Sequence, residues 1–143
     1  MEKTLMMEIR DTYRLWAGYM KGVAAGAGVP DSYRMVLAFL RRSPGASQRE
    51  LAAHCGITTA SISQTVKEMR LTGYLKQETD ERDQRYVRLF LTDKGKTCAE
   101  EILKKLRCAD ARISELMTEE KEKKLMELLG ELNQILGKEM PPC

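Results

Sequence analysis

The residues with the clearest capacity for chemistry are two acids and two arginines that alternate within a short run. Asp80, Arg82, Asp83 and Arg85 stand in the sequence DERDQR. An arginine offers a rigid fork of donors that suits phosphate and the negative potential of a narrow DNA minor groove. An aspartate can brace such a loop by bonding its own backbone or aiming a neighbouring guanidinium. This run therefore predicts a loop tip that presents Arg82 and Arg85 to an anionic partner.

A second polar surface is predicted on a helix that runs from Thr58 to about Leu71. Its inward stripe is Ile62, Val66 and Met69, which recur at helical spacing. The opposite face has a centre of Ala60, Gln64 and Lys67, flanked by Thr59, Ser61 and Ser63. We predict that this face carries no carboxylate. Hydroxyls, an amide and one ammonium can approach a duplex closely and reach base edges and phosphates.

Two helices and a tight turn are needed to position that face. Ser47 and Glu50 have the S-x-x-E spacing of a capping box, so a short helix should begin at Ser47. Gly56 ends this helix, and Thr58 opens the next one. Two helices joined by a glycine-containing turn of three or four residues form a helix-turn-helix.

The charged tip needs a hairpin. The runs YLKQET and YVRLFL flank it, and Val87, Leu89 and Leu91 share one face of the second run. Tyr86 and Arg88 take the other face, which is the period of a half-buried strand. A hairpin beside a recognition helix could place its tip in a minor groove.

Amphipathic helices are predicted on both sides of this part. One runs from Glu8 to about Ala25, and Asp31 begins a short second helix that ends at SPG. After the wing, Thr92 caps a helix that continues to about Leu116, and Thr118 caps the last helix. The last helix has an apolar stripe of Leu125, Leu128, Leu129, Leu132, Ile135 and Leu136. These faces exceed what one small winged helix can cover, so they predict a homodimer.

Composition narrows the class of protein. The chain has 143 residues, 43% of them hydrophobic, and a net charge of +3. Neither a signal peptide nor a membrane helix is predicted, so we expect a cytoplasmic protein. His54 is the single histidine, and the sequence shows no glycine-rich phosphate loop and no paired catalytic carboxylates. We therefore predict no enzymatic activity, no metal and no cofactor.

The helix order, the segment SQRELAAHCGITTASISQTVKEMRLTGYL and the motif D-x-R-D-x-R leading into LTDKG together carry a resemblance. The chain resembles the multiple-antibiotic-resistance regulator (MarR) family of bacterial winged-helix transcription factors. That resemblance implies a homodimer held by the terminal helices, recognition helices in two major grooves, and wing arginines in minor grooves. It also implies release from DNA by a small molecule, often aromatic or phenolic, bound between the dimer helices and the winged helix.

The fold class expected is mainly α with a small β-hairpin wing, in a single domain over residues 1–143. The winged helix-turn-helix should span residues 30–96, with dimerisation helices in 1–29 and 97–143. The dimer interface should use Ile9, Tyr13 and Trp16 with the leucines of the last helix. The predicted DNA-binding residues are Ser47, Gln48, Thr58, Thr59, Ala60, Ser61, Ser63, Gln64, Lys67, Lys76, Arg82 and Arg85, braced by Asp80 and Asp83.

An effector pocket is predicted around Trp16, Met20, Tyr33 and Phe39, although residues of these types at helical spacing also make ordinary core. The function expected is a DNA-binding transcriptional repressor that recognises an inverted-repeat operator. One alternative is a thiol-based redox regulator that uses a cysteine among Cys55, Cys98, Cys108 and Cys143. We expect Cys55 and Cys108 to be buried small hydrophobes. The other alternative is a winged-helix module that binds protein.

Overall fold

The structure, a computed structural model, describes residues 2–140 of the chain. It confirms a mainly helical protein with a small antiparallel hairpin. The helices are α1 (Leu5–Gly26), α2 (Asp31–Arg42), α3 (Gln48–Cys55), α4 (Thr59–Leu71), α5 (Asp93–Met117) and α6 (Glu119–Gln134), and a π-helical turn follows over Ile135–Glu139. The strands are β1 (Leu75–Thr79) and β2 (Val87–Leu91). Among the described residues, no helix has the length and apolarity needed to cross a bilayer.

The chain divides into two compact units, Met1–Lys105 and Leu106–Cys143. In the first unit, α2 packs against α3, α4 and β2, while α4 packs against β1. The largest fully buried side chains here are Leu37, Leu40, Leu51, Ile62, Met69, Leu75 and Leu89. Because these side chains come from every one of those elements, the core holds α4 and the hairpin on one body.

The helix-turn-helix is confirmed down to its caps. The Ser47 hydroxyl accepts the Glu50 amide hydrogen at 3.2 Å, and the Glu50 carboxylate accepts the Ser47 amide hydrogen at 2.7 Å. Gly56 ends α3 with φ of +66°, a left-handed conformation that glycine adopts without steric cost. Thr58 then caps α4 by accepting the Ser61 amide hydrogen at 3.2 Å. Both helix starts are therefore set by local side chains.

The predicted hairpin is confirmed, with Leu75 paired to Leu91 and Thr79 to Val87. Leu89 and Leu91 are buried, but Val87 is 38% exposed. By strand alternation Val87 lies on the same face as Leu89 and Leu91, as predicted, but it is not buried: it and its partner Thr79 are both exposed at the end of the hairpin next to the loop tip. A further backbone bridge joins Ala46 to Leu89, so the loop before α3 forms an edge of the hairpin.

The start of α5 is held tightly against the end of the α4–β1 connection. Thr92 caps the helix as predicted, since its hydroxyl accepts the Gly95 amide hydrogen at 3.2 Å. The same hydroxyl donates to the Gly73 carbonyl at 2.5 Å. Any side chain at Gly95 would collide with the Tyr74 carbonyl oxygen. A glycine is therefore required where α5 passes this backbone.

Helix α1 begins at Leu5, three residues before the predicted start, because Thr4 caps it by accepting the Met7 amide hydrogen at 3.3 Å. Its buried residues lie near its end and are Met20, Val23 and Ala24. Its large exposed hydrophobic residues are Leu5, Met6, Tyr13, Leu15, Trp16 and Tyr19. The first half of α1 thus presents an apolar face that the chain itself leaves uncovered.

The second unit contains the end of α5 and all of α6. Thr118 joins the two helices, but its side chain does not cap α6, so that prediction is wrong. The reason is its backbone, which has φ of +73°, whereas a side-chain cap needs the extended conformation seen at Ser47 and Thr58. No side chain of α6 is buried, and Leu125, Leu128 and Leu129 are each more than 40% exposed.

Candidate nucleic-acid interface

Helix α4 divides into a buried and an exposed face. Ile62, Val66 and Met69 are each at most 1% exposed, which anchors the helix on the core. The predicted contact residues on the other face are all exposed; they are Thr59, Ala60, Ser61, Ser63, Gln64 and Lys67. The helix therefore offers a rigid row of short polar side chains and one ammonium to solvent.

One part of this surface differs from the sequence prediction. Glu68 is exposed one turn after Gln64, and its carboxylate accepts a hydrogen bond from the Gln64 amide at 2.9 Å. The prediction that the outer face carries no carboxylate is therefore wrong. The two residues are four apart and thus share one helix face. The Glu68 carboxylate therefore orients the amide of Gln64.

The predicted contacts that precede α4 are partly committed to local structure. Ser47 and Gln48 are half-buried, and the Ser47 hydroxyl serves the cap of α3. Thr58 is exposed, and its hydroxyl donates to the Ser61 hydroxyl at 3.1 Å. Thr58 and Ser61 therefore act as one hydroxyl pair at the start of α4, where the helix dipole favours an anion.

At the wing tip, Asp83 lies against Arg85. One Asp83 oxygen accepts the backbone amide hydrogen of Arg85 at 3.0 Å and its side-chain Nε–H at 3.1 Å. Most of the Arg85 side chain is nevertheless exposed, at 90%. Asp83 thus holds the base of the guanidinium while its outer edge faces solvent.

Asp80 is used differently from the interpretation of the sequence, in which it paired with a tip arginine. Its Oδ1 accepts the backbone amide hydrogen of Arg82 at 2.8 Å, and its Oδ2 accepts from Arg88 at 2.9 Å. The hydrogen bonds among described residues include none from the Arg82 guanidinium. The Arg82 amide, followed by the Arg88 guanidinium, holds the pKa of Asp80 below its ordinary value. Arg82 is therefore fixed through its backbone, and its charge stays available.

Lys76 lies on the other face of the hairpin, where its register partner is Phe90. Its ammonium is 3.5 Å from the Glu78 carboxylate. An open cavity of about 450 Å³ lies at this face, lined by Leu40, Arg41, Pro44, Lys76, Phe90, Leu91, Lys96 and Glu100. Two of the predicted DNA-binding residues line cavities of the first unit. Lys76 lines this one, and Arg82 lines another of about 360 Å³ together with Asp80 and Arg88.

We compared the chain with known protein families and structures. A family model described as the MarR family matches residues 27–85, which include the helix-turn-helix and the charged wing tip. Over these residues the chain is similar to the MarR family.

Individual relatives agree with this family. The chain is 30% identical over 94 residues to the HTH-type transcriptional regulator BilQ of Clostridium symbiosum; the match covers 66% of this chain and 65% of BilQ. The chain therefore spans slightly less than two thirds of that relative's length.

Two solved structures share the fold. The MarR family transcription regulator SP03579 matches with a TM-score of 0.81 and 23% identity, covering 92% of this chain and 89% of its own. The transcriptional repressor CouR, bound to a 23-mer DNA duplex, matches with a TM-score of 0.78 and 22% identity, covering 90% and 92%.

The effector residues expected from the MarR resemblance lie in separate surroundings. Trp16 is half-exposed, with the Arg34 guanidinium 5.7 Å from its ring centroid. Tyr33 is buried, and its hydroxyl is 3.3 Å from that of Thr72. Met20 is buried in the core, and Phe39 stacks on His54 with ring centroids 4.6 Å apart. None of the four lines the cavity beside Lys76 and Phe90, and the effector pocket stays a prediction.

The cysteines of the chain differ in exposure. Cys98 is buried and Cys55 half-buried, and burial raises the pKa of both thiols. Cys108 is exposed, so the expectation that it is a buried small hydrophobe is wrong; it lies on a part of α5 whose outer face the chain does not cover. Cys143 lies outside the described residues. Within residues 2–140, no cluster of His, Cys, Asp and Glu could hold a metal ion.

Sequence reasoning missed two residues that shape the wing. Arg88 was assigned only to the outer face of β2, yet it bonds both Asp80 and the Gly45 carbonyl oxygen. Gly45 has φ of +84° and donates its amide hydrogen to the Leu89 carbonyl at 2.8 Å. The SPG signal indicated a turn at this position, but no local pattern reveals a partner more than 40 residues away.

Proposed function

We propose that the protein is a sequence-specific DNA-binding transcriptional regulator that acts as a repressor. It binds an inverted-repeat operator as a homodimer and has no catalytic role. The observation that carries this proposal is helix α4, which is fixed on the core by Ile62, Val66 and Met69 and presents an exposed polar row. A rigid helix of this kind can read base edges in the major groove.

The wing supports the proposal from a second element. It follows α4 after a short connection, and its tip presents Arg82 without a side-chain hydrogen bond to another described residue. An arginine without a protein acceptor is suited to the negative potential of a minor groove. The relative CouR is a repressor solved on DNA, and its fold matches this chain over most of its length. A helix and an arginine loop together can read both grooves at one half-site.

The apolar faces of the terminal helices support the homodimer. Tyr13 and Trp16 on α1 are 65% and 49% exposed. Leu128 and Ile135 in the second unit are 53% and 43% exposed. A monomer rarely leaves so many large side chains in water, whereas a symmetric interface buries the same patch on both copies.

The experiment is selection of bound duplexes from a random pool, followed by footprinting. We expect an enriched inverted repeat and protection of two half-sites. Gln64→Ala should relax base preference at one position in each half-site, because Gln reads adenine through two hydrogen bonds. Arg112→Ala, a change in the second unit outside the predicted contacts, is the matched control and should leave the preferences unchanged. A pool that yields no preferred sequence would contradict the proposal.

A salt series separates DNA binding from the alternative of a protein-binding module. Neutralisation of phosphates releases counterions, so the logarithm of the binding constant should fall linearly with the logarithm of salt concentration. In the repressor we propose, a small aromatic or phenolic effector would bind the DNA-free form more tightly, because a ligand shifts an equilibrium only by its differential affinity. Release of the selected operator by such a compound is the corresponding measurement.

A further inference from the structure

We infer that Arg88 is a positioning residue that sets the direction in which the wing presents Arg82 to DNA. This inference rests on the proposed function and adds a residue outside the predicted contacts. The Arg88 guanidinium bonds two parts of the chain at once. Its Nε donates to Asp80 Oδ2 at 2.9 Å, and its other two nitrogens reach Asp80 at 2.8 Å and the Gly45 carbonyl at 3.2 Å.

Asp80 carries this link to the tip. Its side chain is only 16% exposed, and its second oxygen accepts the Arg82 amide hydrogen at 2.8 Å. One carboxylate therefore joins the Arg88 side chain to the backbone of Arg82. A charge-assisted pair with two nitrogen donors fixes direction as well as distance.

Gly45 carries the link to the body of the first unit. Its amide hydrogen bonds the Leu89 carbonyl, and the next residue, Ala46, forms a bridge with Leu89. Ser47 follows immediately as the cap of α3. The Arg88 side chain thus ties the wing tip to the loop from which the helix-turn-helix starts.

A lysine could not replace this connection in full. Lysine is a single point charge, whereas the arginine fork spans two acceptors in a fixed geometry. Arg88 is also half-exposed, at 54%, so a direct phosphate contact is the competing role. The two roles predict opposite effects of removing the Asp80 charge. If Arg88 contacts a phosphate directly, its release from Asp80 would leave that contact intact or strengthen it. If Arg88 positions the wing, the same release would weaken DNA binding.

The test is a double-mutant cycle on the selected operator with Arg88→Leu, Asp80→Asn and both together. Asn at position 80 can still accept the Arg82 amide hydrogen, so Asp80→Asn removes mainly the pair with Arg88. Each single change should weaken binding about tenfold and broaden base preference at the operator flanks, and the double variant should be no weaker than either. Arg88→Lys should recover part of the loss. Lys96→Leu removes the same charge from an exposed site outside the predicted contacts and should keep the wild-type flank preference.

Independent, additive losses, or tighter binding by Asp80→Asn, would overturn the inference. A second measurement needs no DNA and therefore separates this inference from the proposed function. Nitrogen-15 relaxation of the free protein should show larger motion of residues 80–86 in Arg88→Leu but not in Lys96→Leu. An equally ordered tip in Arg88→Leu would overturn the positioning role even if the wild type binds its operator, and a wild type without an operator would instead refute the proposed function.

Discussion

At the scale of single residues, the two wing arginines are held in different ways. Arg85 is bonded through its side chain to Asp83, whereas Arg82 is held through its backbone by Asp80. From this difference we expect Arg82 to contact DNA and Arg85 to shape the loop. Two aspartates beside a DNA-binding surface make sense in this light, because each one fixes an arginine or its backbone.

We expect Arg82→Ala to weaken operator binding by about 1–3 kcal/mol and to relax base preference at A·T-rich flanks. Arg85→Ala should lower affinity without a position-specific change. Asp83→Asn should act in the same direction as Arg85→Ala, although Coulomb's law alone predicts tighter binding when an anion is removed beside DNA. Quantitative binding to a panel of flank variants measures all three. Tighter binding by Asp83→Asn, with unchanged preferences in Arg82→Ala, would show that the tip is only a solvated loop.

A titration of Asp80 is the second prediction at this scale. Its pKa in the folded protein is lowered from the ordinary 3.8, first by the Arg82 amide hydrogen and then by Arg88. The stabilisation it gives the wing is therefore complete above the ordinary value and is lost as the pH falls through the lower folded pKa. Wing chemical shifts should stay constant from pH 8 to about pH 5 and change only in stronger acid. Asp80→Asn should abolish the titration of the Arg82 amide; a change centred near neutral pH would contradict the assignment.

At the scale of elements, the helix starts depend on caps that are local in sequence. We expect Ser47→Ala to reduce the free energy of unfolding by about 1 kcal/mol, because the Glu50 amide hydrogen loses its acceptor. Ser43→Ala is the matched control, since Ser43 is exposed in the preceding loop and its hydroxyl makes no hydrogen bond among the described residues. Urea denaturation measures both. Equal stability of the two variants would show that the cap contributes nothing.

The difference between local signals and contacts of residues far apart in the chain explains what the sequence could predict. The helix-turn-helix and hairpin follow from short-range signals, such as the Ser47–Glu50 box and the alternation through Leu89, and both are confirmed. Thr118 has the residue type of a cap, but its φ of +73° is not the extended backbone that a side-chain cap needs. The Arg88 bond to Gly45 joins residues 43 apart in the chain. Such contacts depend on packing, which no local pattern encodes.

The candidate site shows the same limit. Exposure of the α4 face followed from helical periodicity, because the inward stripe determines which side chains face solvent. The effector residues Trp16, Tyr33 and Phe39 were expected from the family resemblance and from aromatic residues near the predicted junction. Each has different neighbours within the chain, and the pocket stays a prediction. Aromatic side chains at helical spacing do not specify which cavity, if any, they line.

At the scale of the whole molecule, the uncovered leucines of the second unit predict the assembly state. We expect Leu132→Glu together with Ile135→Glu to convert the dimer to a monomer, because four buried carboxylates per dimer would lack partners. Operator affinity should fall with it, since one half-site alone is bound weakly. Asn133→Glu with Gln134→Glu adds the same charge at exposed neighbours and should preserve the dimer. Sedimentation at micromolar concentration measures the assembly state of both double variants. A monomeric wild type would contradict the predicted homodimer.

A two-fold dimer also constrains its operator. Recognition helices related by two-fold symmetry should meet half-sites about one helical turn, roughly 10 base pairs, apart from centre to centre. Insertion of about five base pairs between the half-sites rotates the second by half a turn and places it on the opposite face of the duplex, so affinity should fall to that of a single half-site. An insertion of about ten restores the face but lengthens the span, and its effect reports how far the dimer can stretch. Unchanged affinity after the five-base-pair insertion would show that the two copies do not read the half-sites as one rigid unit.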